Sequence, residues 1–199
     1  MPKPKAFERR KKAPFRDAFL CIIICEGSEK EPEYFRHFDG LSSRIKVLPV
    51  KSKAGKSAPV HLIENALDTE FALGANEEDQ IWFVIDTDRW GKQIHELRLE
   101  CQGKNNWEVA QSNPCFEVWL YYHLRKELPD MQHLPACKDW KAHLHELIPG
   151  GFKSSAHIVN LPQAITYAKA NYQEDGYWPQ PGCTQVWRLA EVIERFIIK

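Results

Sequence analysis

No stretch of this 199-residue chain approaches the roughly 18 consecutive apolar residues of a membrane-spanning helix, so a soluble protein is expected. The basic start is followed by no apolar signal core, so export is not expected. The six cysteines, at 21, 25, 101, 115, 137 and 183, include no C-x-x-C pair, which removes the usual redox and zinc-ribbon spacings. Cys21, Cys25 and Cys115 sit inside apolar patterns, where a free thiol behaves as a small hydrophobe. Reduced thiols and a cytoplasmic location are the expectation. His143 and His145 are two apart, a spacing that separates them on a helix, so zinc is not expected there. A complete phosphate loop is missing too: KSKAGKS at 51–57 carries Val50 where the Walker pattern requires glycine. There is no internal repeat and no low-complexity tract.

Net charge is also absent, but only in the sum. Residues 1–16 hold seven basic side chains (Lys3, Lys5, Arg9, Arg10, Lys11, Lys12 and Arg16) against the single acid Glu8. The remainder carries 20 basic and 26 acidic residues, a net of −6. A basic arm on a mildly acidic body suits either phosphate contact, through Arg9, Arg10, Lys11 and Lys12, or a solubilising tail. Lys51, Lys53 and Lys56 form a basic loop before a helix start. They suit either a grip on a nucleic-acid phosphate or plain solvation.

With 43% hydrophobic residues there is enough apolar material for one sizeable core. Two runs dominate it. Residues 18–25 (AFLCIIIC) and 81–85 (IWFVI) are short and unbroken, the mark of strands buried on both faces of a parallel sheet. Residues 45–50 and 107–110 read as two further strands, the former peripheral because of Pro49. Helices are expected at 29–38, with Ser28 and Glu31 as a capping box, at 58–73, with Val60, Ile63, Leu67 and Phe71 inward, at 92–101, and at 115–124, with Asn113 or Ser112 as its cap. Beyond 128, helical spacing returns at 138–148, 161–172 and 185–198. Strand and helix alternate, so the fold class is α/β: a mostly parallel four-stranded sheet flanked by helices, with additional C-terminal helices. Three parts are expected: a flexible basic arm (1–17), the α/β core (18–127) and a helical extension packed on it (128–199).

Both dominant strands end in acids. The first runs into Glu26-Gly27, the second into Asp86-Thr87-Asp88. Ligands bind at the carboxyl edge of open α/β sheets. Extended chain sends Asp86 and Asp88 to one side, about 7 Å apart. Two carboxylates that close suit a divalent cation such as Mg²⁺, with phosphate and water completing the shell. They equally suit a helix cap or a pair with Arg89. Glu117, in the first turn of an apolar helix, suits a macrodipole partner or a further acid of the site.

ICEGSEKEPEYF, FVIDTDRW and SNPCFEVWL together resemble three blocks of the RloB-like family, Toprim-type proteins associated with restriction loci and phage defence. The resemblance spans residues 18–124 and extends weakly to PGCTQVWRLAEVI. It implies a Toprim-like fold, with Glu26 as general acid/base or metal ligand and Asp86 and Asp88 as the metal-binding pair. Asn113, Glu117 and Arg89 would be in supporting positions. It further implies an SMC/ABC-like ATPase partner. The expected activity is Mg²⁺- or Mn²⁺-dependent cleavage of DNA or RNA. The competing reading is a non-catalytic subunit that binds nucleic acid or the ATPase.

Overall fold

Alternation along the two buried strands decides which helix lies on which face. The computed structural model describes residues 18–52, 57–87 and 90–197. Within them, strands β1 (Phe19–Cys25), β2 (Ile45–Val50), β3 (Gln80–Asp86) and β4 (Trp107–Ser112) form a parallel sheet in the order β2-β1-β3-β4. β1 is central, in register with β2 through Ile23↔Pro49 and with β3 through Ile24↔Phe83. Successive side chains of a strand point to opposite faces. Cys21, Ile23 and Cys25 of β1, with Trp82 and Val84 of β3, therefore face one cluster, while Leu20, Ile22 and Ile24, with Ile81, Phe83 and Ile85, face the other. Ile22, Ile23 and Ile24 are fully buried, each worth roughly 1.5–3 kcal/mol of transfer free energy.

The first face is covered by α1 (Lys30–Arg36) and, after β4, by the helices that end the chain. The second is covered by α2 (Pro59–Leu73) and α3 (Gly91–Gln102). β1 feeds α1 on one side of the sheet and its neighbour β3 feeds α3 on the other. The chain thus diverges at the carboxyl ends of β1 and β3, which is where an α/β sheet opens its ligand crevice.

Past β4, α4 (Glu117–Tyr122) is buried on every side chain. α5 (Cys137–Leu147) and α7 (Leu161–Asn171) pack on it, the single turn α6 (Ser154–His157) lies between them in the chain, and α8 (Val186–Ile197) packs on α7 and β4. Trp140, Leu144, Leu161, Ile165, Leu189 and Ile193 join Trp119 and Tyr122 in the first cluster, so the residues after 128 share the core of the sheet. A short hairpin, β5 (Glu174–Asp175) and β6 (Trp178–Pro179), precedes α8. Pro49 sits on the edge strand β2, where a missing N–H costs no ladder bond. All six cysteines are free, and no described helix is long and apolar enough to cross a membrane.

Three local expectations fail. The capping box does not form: α1 starts without a side-chain cap, and Glu31 is buried instead. Ser112 and Asn113 do not cap α4, because their side chains bond Thr184 Oγ1 and the Pro179 carbonyl. The inward face of α2 is Pro59, Leu62, Asn65 and Ala66, leaving Val60, Leu67 and Phe71 exposed at 53%, 45% and 87%. Two overlapping stripes satisfy the helical period there. The one with Ala66 lets the helix approach the crowded row Leu20–Ile22–Ile24 more closely than a stripe ending in Phe71 would.

Candidate active site

Glu26 directly follows β1, and Asp86 is the last residue of β3. Because the strands pair, the two meet. The Asp86 backbone N–H donates to Glu26 Oε2 at 2.8 Å, and the Trp90 indole N–H donates to Glu26 Oε1 at 2.7 Å. Asp86 Oδ1 accepts the backbone N–H of Phe116 at 2.9 Å, so the start of α4 is held against the end of β3. Each carboxylate is oriented by a donor from a neighbouring segment, which fixes its direction more tightly than its own rotamer freedom would.

Two further acids close on this pair. Glu31, in the first turn of α1, turns back over Gly27; a Cβ at Gly27 would lie 2.0 Å from Glu31 Oε2. Glycine is therefore required by contact, because the carboxylate occupies the space a side chain would take. Glu117, the first residue of α4, is 3% exposed and pairs with Lys30 Nζ through Oε1 at 2.9 Å.

The electrostatics divide Asp86, Glu31 and Glu117. Burial, then the charges of Glu26, Glu31 and Glu117 and the Cys137 thiol, push the Asp86 carboxyl well above the usual range. Burial also raises Glu31, helped by Glu117 and opposed by its own backbone N–H and by Lys141 and Lys30. Burial pushes Glu117 up as well. Hydrogen bonds from Lys30 and Cys115 and the charges of Lys30 and Lys141 outweigh it and hold that carboxyl low. A buried cluster of this kind can ionise fully only beside added positive charge. Its oxygen donors suit a hard divalent cation of the Mg²⁺ or Mn²⁺ kind.

Beside the acids, Lys30, Lys141, Tyr34, His145, Phe152 and Ser154 line a cavity of about 230 Å³. Lys30, which pairs with Glu117, and Lys141 bring positive charge to that cavity beside the acids.

The sequence-derived candidates separate as follows. Glu26, Asp86 and Glu117 come together. Asn113 does not join them; its amide donates to the Pro179 carbonyl at 2.7 Å and its backbone bonds Cys183 and Gly182, which ties the last segment to the end of β4. Lys51 is exposed just after β2, at the same sheet edge. Asp88 and Arg89, Lys53 and Lys56, and Arg9, Arg10, Lys11 and Lys12 lie outside the described residues. Sequence reasoning missed Glu31, Trp90, Lys30, Lys141 and Cys137. Only Glu31 carried a signal, a second acid five residues after the strand-end Glu26 with a glycine between.

A family model described as RloB-like protein matches residues 21–193, most of the chain. No curated protein and no solved structure matches.

Proposed function

The chain belongs to the RloB-like protein family, and from that premise we propose that it is a divalent-metal-dependent phosphodiester hydrolase of the Toprim type, acting on DNA or RNA in bacterial defence. The observation that carries the reading is the convergence of Glu26, Asp86, Glu31 and Glu117 at the crevice where β1 and β3 end. Glu26, Asp86 and, from the sequence, Asp88 would hold Mg²⁺ or Mn²⁺. When bound, the ion would supply polarisation of a non-bridging phosphate oxygen and charge stabilisation of the leaving oxygen.

The remaining work falls to the chain. Glu26, aimed by the Asp86 N–H and the Trp90 indole, takes the proton from the attacking water as the water oxygen bonds to phosphorus, and returns it to the leaving oxygen as the phosphorus bond to that oxygen breaks. Phe116 N–H keeps Asp86 turned to the edge. Lys30 and Lys141 receive phosphate oxygens of the substrate, and from the sequence Lys51 and the basic residues of the amino terminus would add further phosphate contacts. Control by an SMC/ABC-like ATPase is part of the same proposal, and it rests on the family resemblance.

The test is cleavage of plasmid, single-stranded DNA and tRNA by the full chain with Mn²⁺ or Mg²⁺, with and without the ATPase. Metal-dependent cleavage that is abolished by Asp86→Asn and Glu26→Gln in folded protein supports the reading. Parent-like cleavage by either variant refutes it. A chain that binds nucleic acid or ATPase yet never cleaves is the non-catalytic subunit.

A further inference from the structure

Next to the oxygen-rich edge lies a cluster of different chemistry. The sulfurs of Cys115 and Cys137 and a carboxylate oxygen of Glu117 all lie within 4.8 Å of one another. Cys137 Sγ is 3.8 Å from Glu117 Oε2, while Lys30 occupies the other oxygen, Oε1. We propose that Cys115, Glu117 and Cys137 form a binding site for one soft divalent cation, Zn²⁺, which shares Glu117 with the acid cluster, uses neither Glu26 nor Asp86, and does not depend on the hydrolase reading.

Donor geometry supports this. With zinc–sulfur and zinc–oxygen bonds of about 2.3 and 2.1 Å, tetrahedral ligand atoms stand about 3.6–3.8 Å apart. The Cys137–Glu117 separation already matches, and the whole triad closes onto an ion with side-chain shifts of about 1 Å. Two thiolates and one carboxylate select zinc over Mg²⁺, which prefers oxygen alone. Three protein ligands leave a fourth position for water, the pattern of exchangeable rather than closed zinc sites.

The scaffold is suitably rigid. Cys115 and Glu117 come from one segment, C-x-E, at the start of α4, and both are buried. Cys137 is the first residue of α5, a helix fastened to α4 by the edge-on contact of Trp140 with Tyr121 at 5.5 Å. Around the ligands stand outer partners of the type that orient metal-bound groups: Lys30 on Glu117 Oε1, and Lys141, one turn along α5, on Cys137. Cys115 Sγ lies 4.0 Å from the Cys137 carbonyl and Cys137 Sγ 3.8 Å from Glu117 Oε2. An ion here would pin α5 to the segment whose Phe116 N–H holds Asp86, coupling residues beyond 128 to the catalytic edge.

The experiment uses reduced, metal-stripped full-length protein and Co²⁺ as a spectroscopic stand-in for Zn²⁺. One equivalent of Co²⁺ should produce a thiolate-to-cobalt charge-transfer band that Zn²⁺ removes and excess Mg²⁺ leaves. A carboxylate site cannot give that band, and Asp86→Asn should retain it, so failure of this site and failure of the hydrolase reading are distinguishable. Cys137→Ser, at a half-buried helix start, should lose the band. Its binding should weaken by more than the roughly 10–100-fold that follows loss of an outer partner, whereas Lys30→Gln should fall within that range. Zn²⁺ should also shield the half-buried Cys137 thiol from alkylation in the parent, a readout that needs no variant to fold. Absence of the band in the parent, its persistence in Cys137→Ser, or a Cys137 thiol that stays equally reactive with Zn²⁺ would each overturn the proposal.

Discussion

Gly27→Ala tests the placement of Glu31 within the acid cluster. Gly27 is not among the glycines of positive φ, so its backbone accepts alanine. On conformational entropy alone the change would stabilise by about 0.4–1 kcal/mol. Contact reverses the sign. The new Cβ would stand 2.0, 2.5 and 2.6 Å from Oε2, Cδ and Oε1 of Glu31, against an ordinary 3.4 Å or more, so the carboxyl group must retreat by about 1.4 Å. A surface glutamate would do so freely. Glu31 is 8% exposed and packed under the strand end, so the displacement costs about 1–3 kcal/mol, as other overpacking changes do. For a chain of this length that lowers the melting temperature by about 2–12 °C. The assay is a double-mutant cycle by thermal and urea denaturation. In the Glu31→Ala background, Gly27→Ala should cost nothing or return the entropic gain, leaving a coupling of at least about 1 kcal/mol. An equal cost in both backgrounds would show that Glu31 does not occupy that space, and the four-acid cluster would lose a member.

Two other predictions come from titration. Asp86 is held well above the usual carboxylate range by burial and its acidic neighbours, so the metal-free parent loses stability as pH rises from about 4 through that raised value. Asp86→Asn keeps the acceptor for the Phe116 N–H and should melt higher than the parent in EDTA at neutral pH, the advantage fading towards about pH 4. An advantage independent of pH would contradict burial and acidic neighbours as its cause. His123 is fully buried between Tyr34 Oη and the His157 carbonyl, and burial pushes its imidazole down to about 3. Its contribution is complete above an unfolded value of about 6.5 and is lost as pH falls towards 3, by up to about 1.36 kcal/mol per pH unit. Folded His123→Gln should therefore show a shallower fall in urea midpoint between about pH 7 and 4 than the parent, and parallel curves would refute it.

The strands and their order of alternation with helices were legible because buried parallel strands are written as unbroken apolar runs. AFLCIIIC and IWFVID differ from every amphipathic segment around them. Glu26 and Asp86 were legible for a related reason: an acid that ends such a run has nowhere to go but the sheet edge. The inward face of α2 was not, since Val60–Leu67–Phe71 and Leu62–Ala66 are both periodic and only the packed surface of β1 chooses between them. Glu31 was misread because a local rule, the capping box, competes with a non-local one, the space over Gly27.

By itself, then, the sequence determined the α/β class, the central strands and the two acids that close them, since these follow from hydrophobic runs and strand ends within a few residues of one another. Family membership came with three blocks spread over the first two-thirds of the chain and with a family match over 21–193. Only the tertiary structure decided what stands around those acids. Cys137 reaches Cys115 and Glu117 across 20 residues or more, Lys30 reaches Glu117 across 87, and Trp90 reaches Glu26 across 64. None of these pairings leaves a period or spacing in the chain. They arise where the sheet diverges between β1 and β3 and where α5 packs on α4, and burial there turns scattered cysteines, lysines and acids into one electrostatic unit.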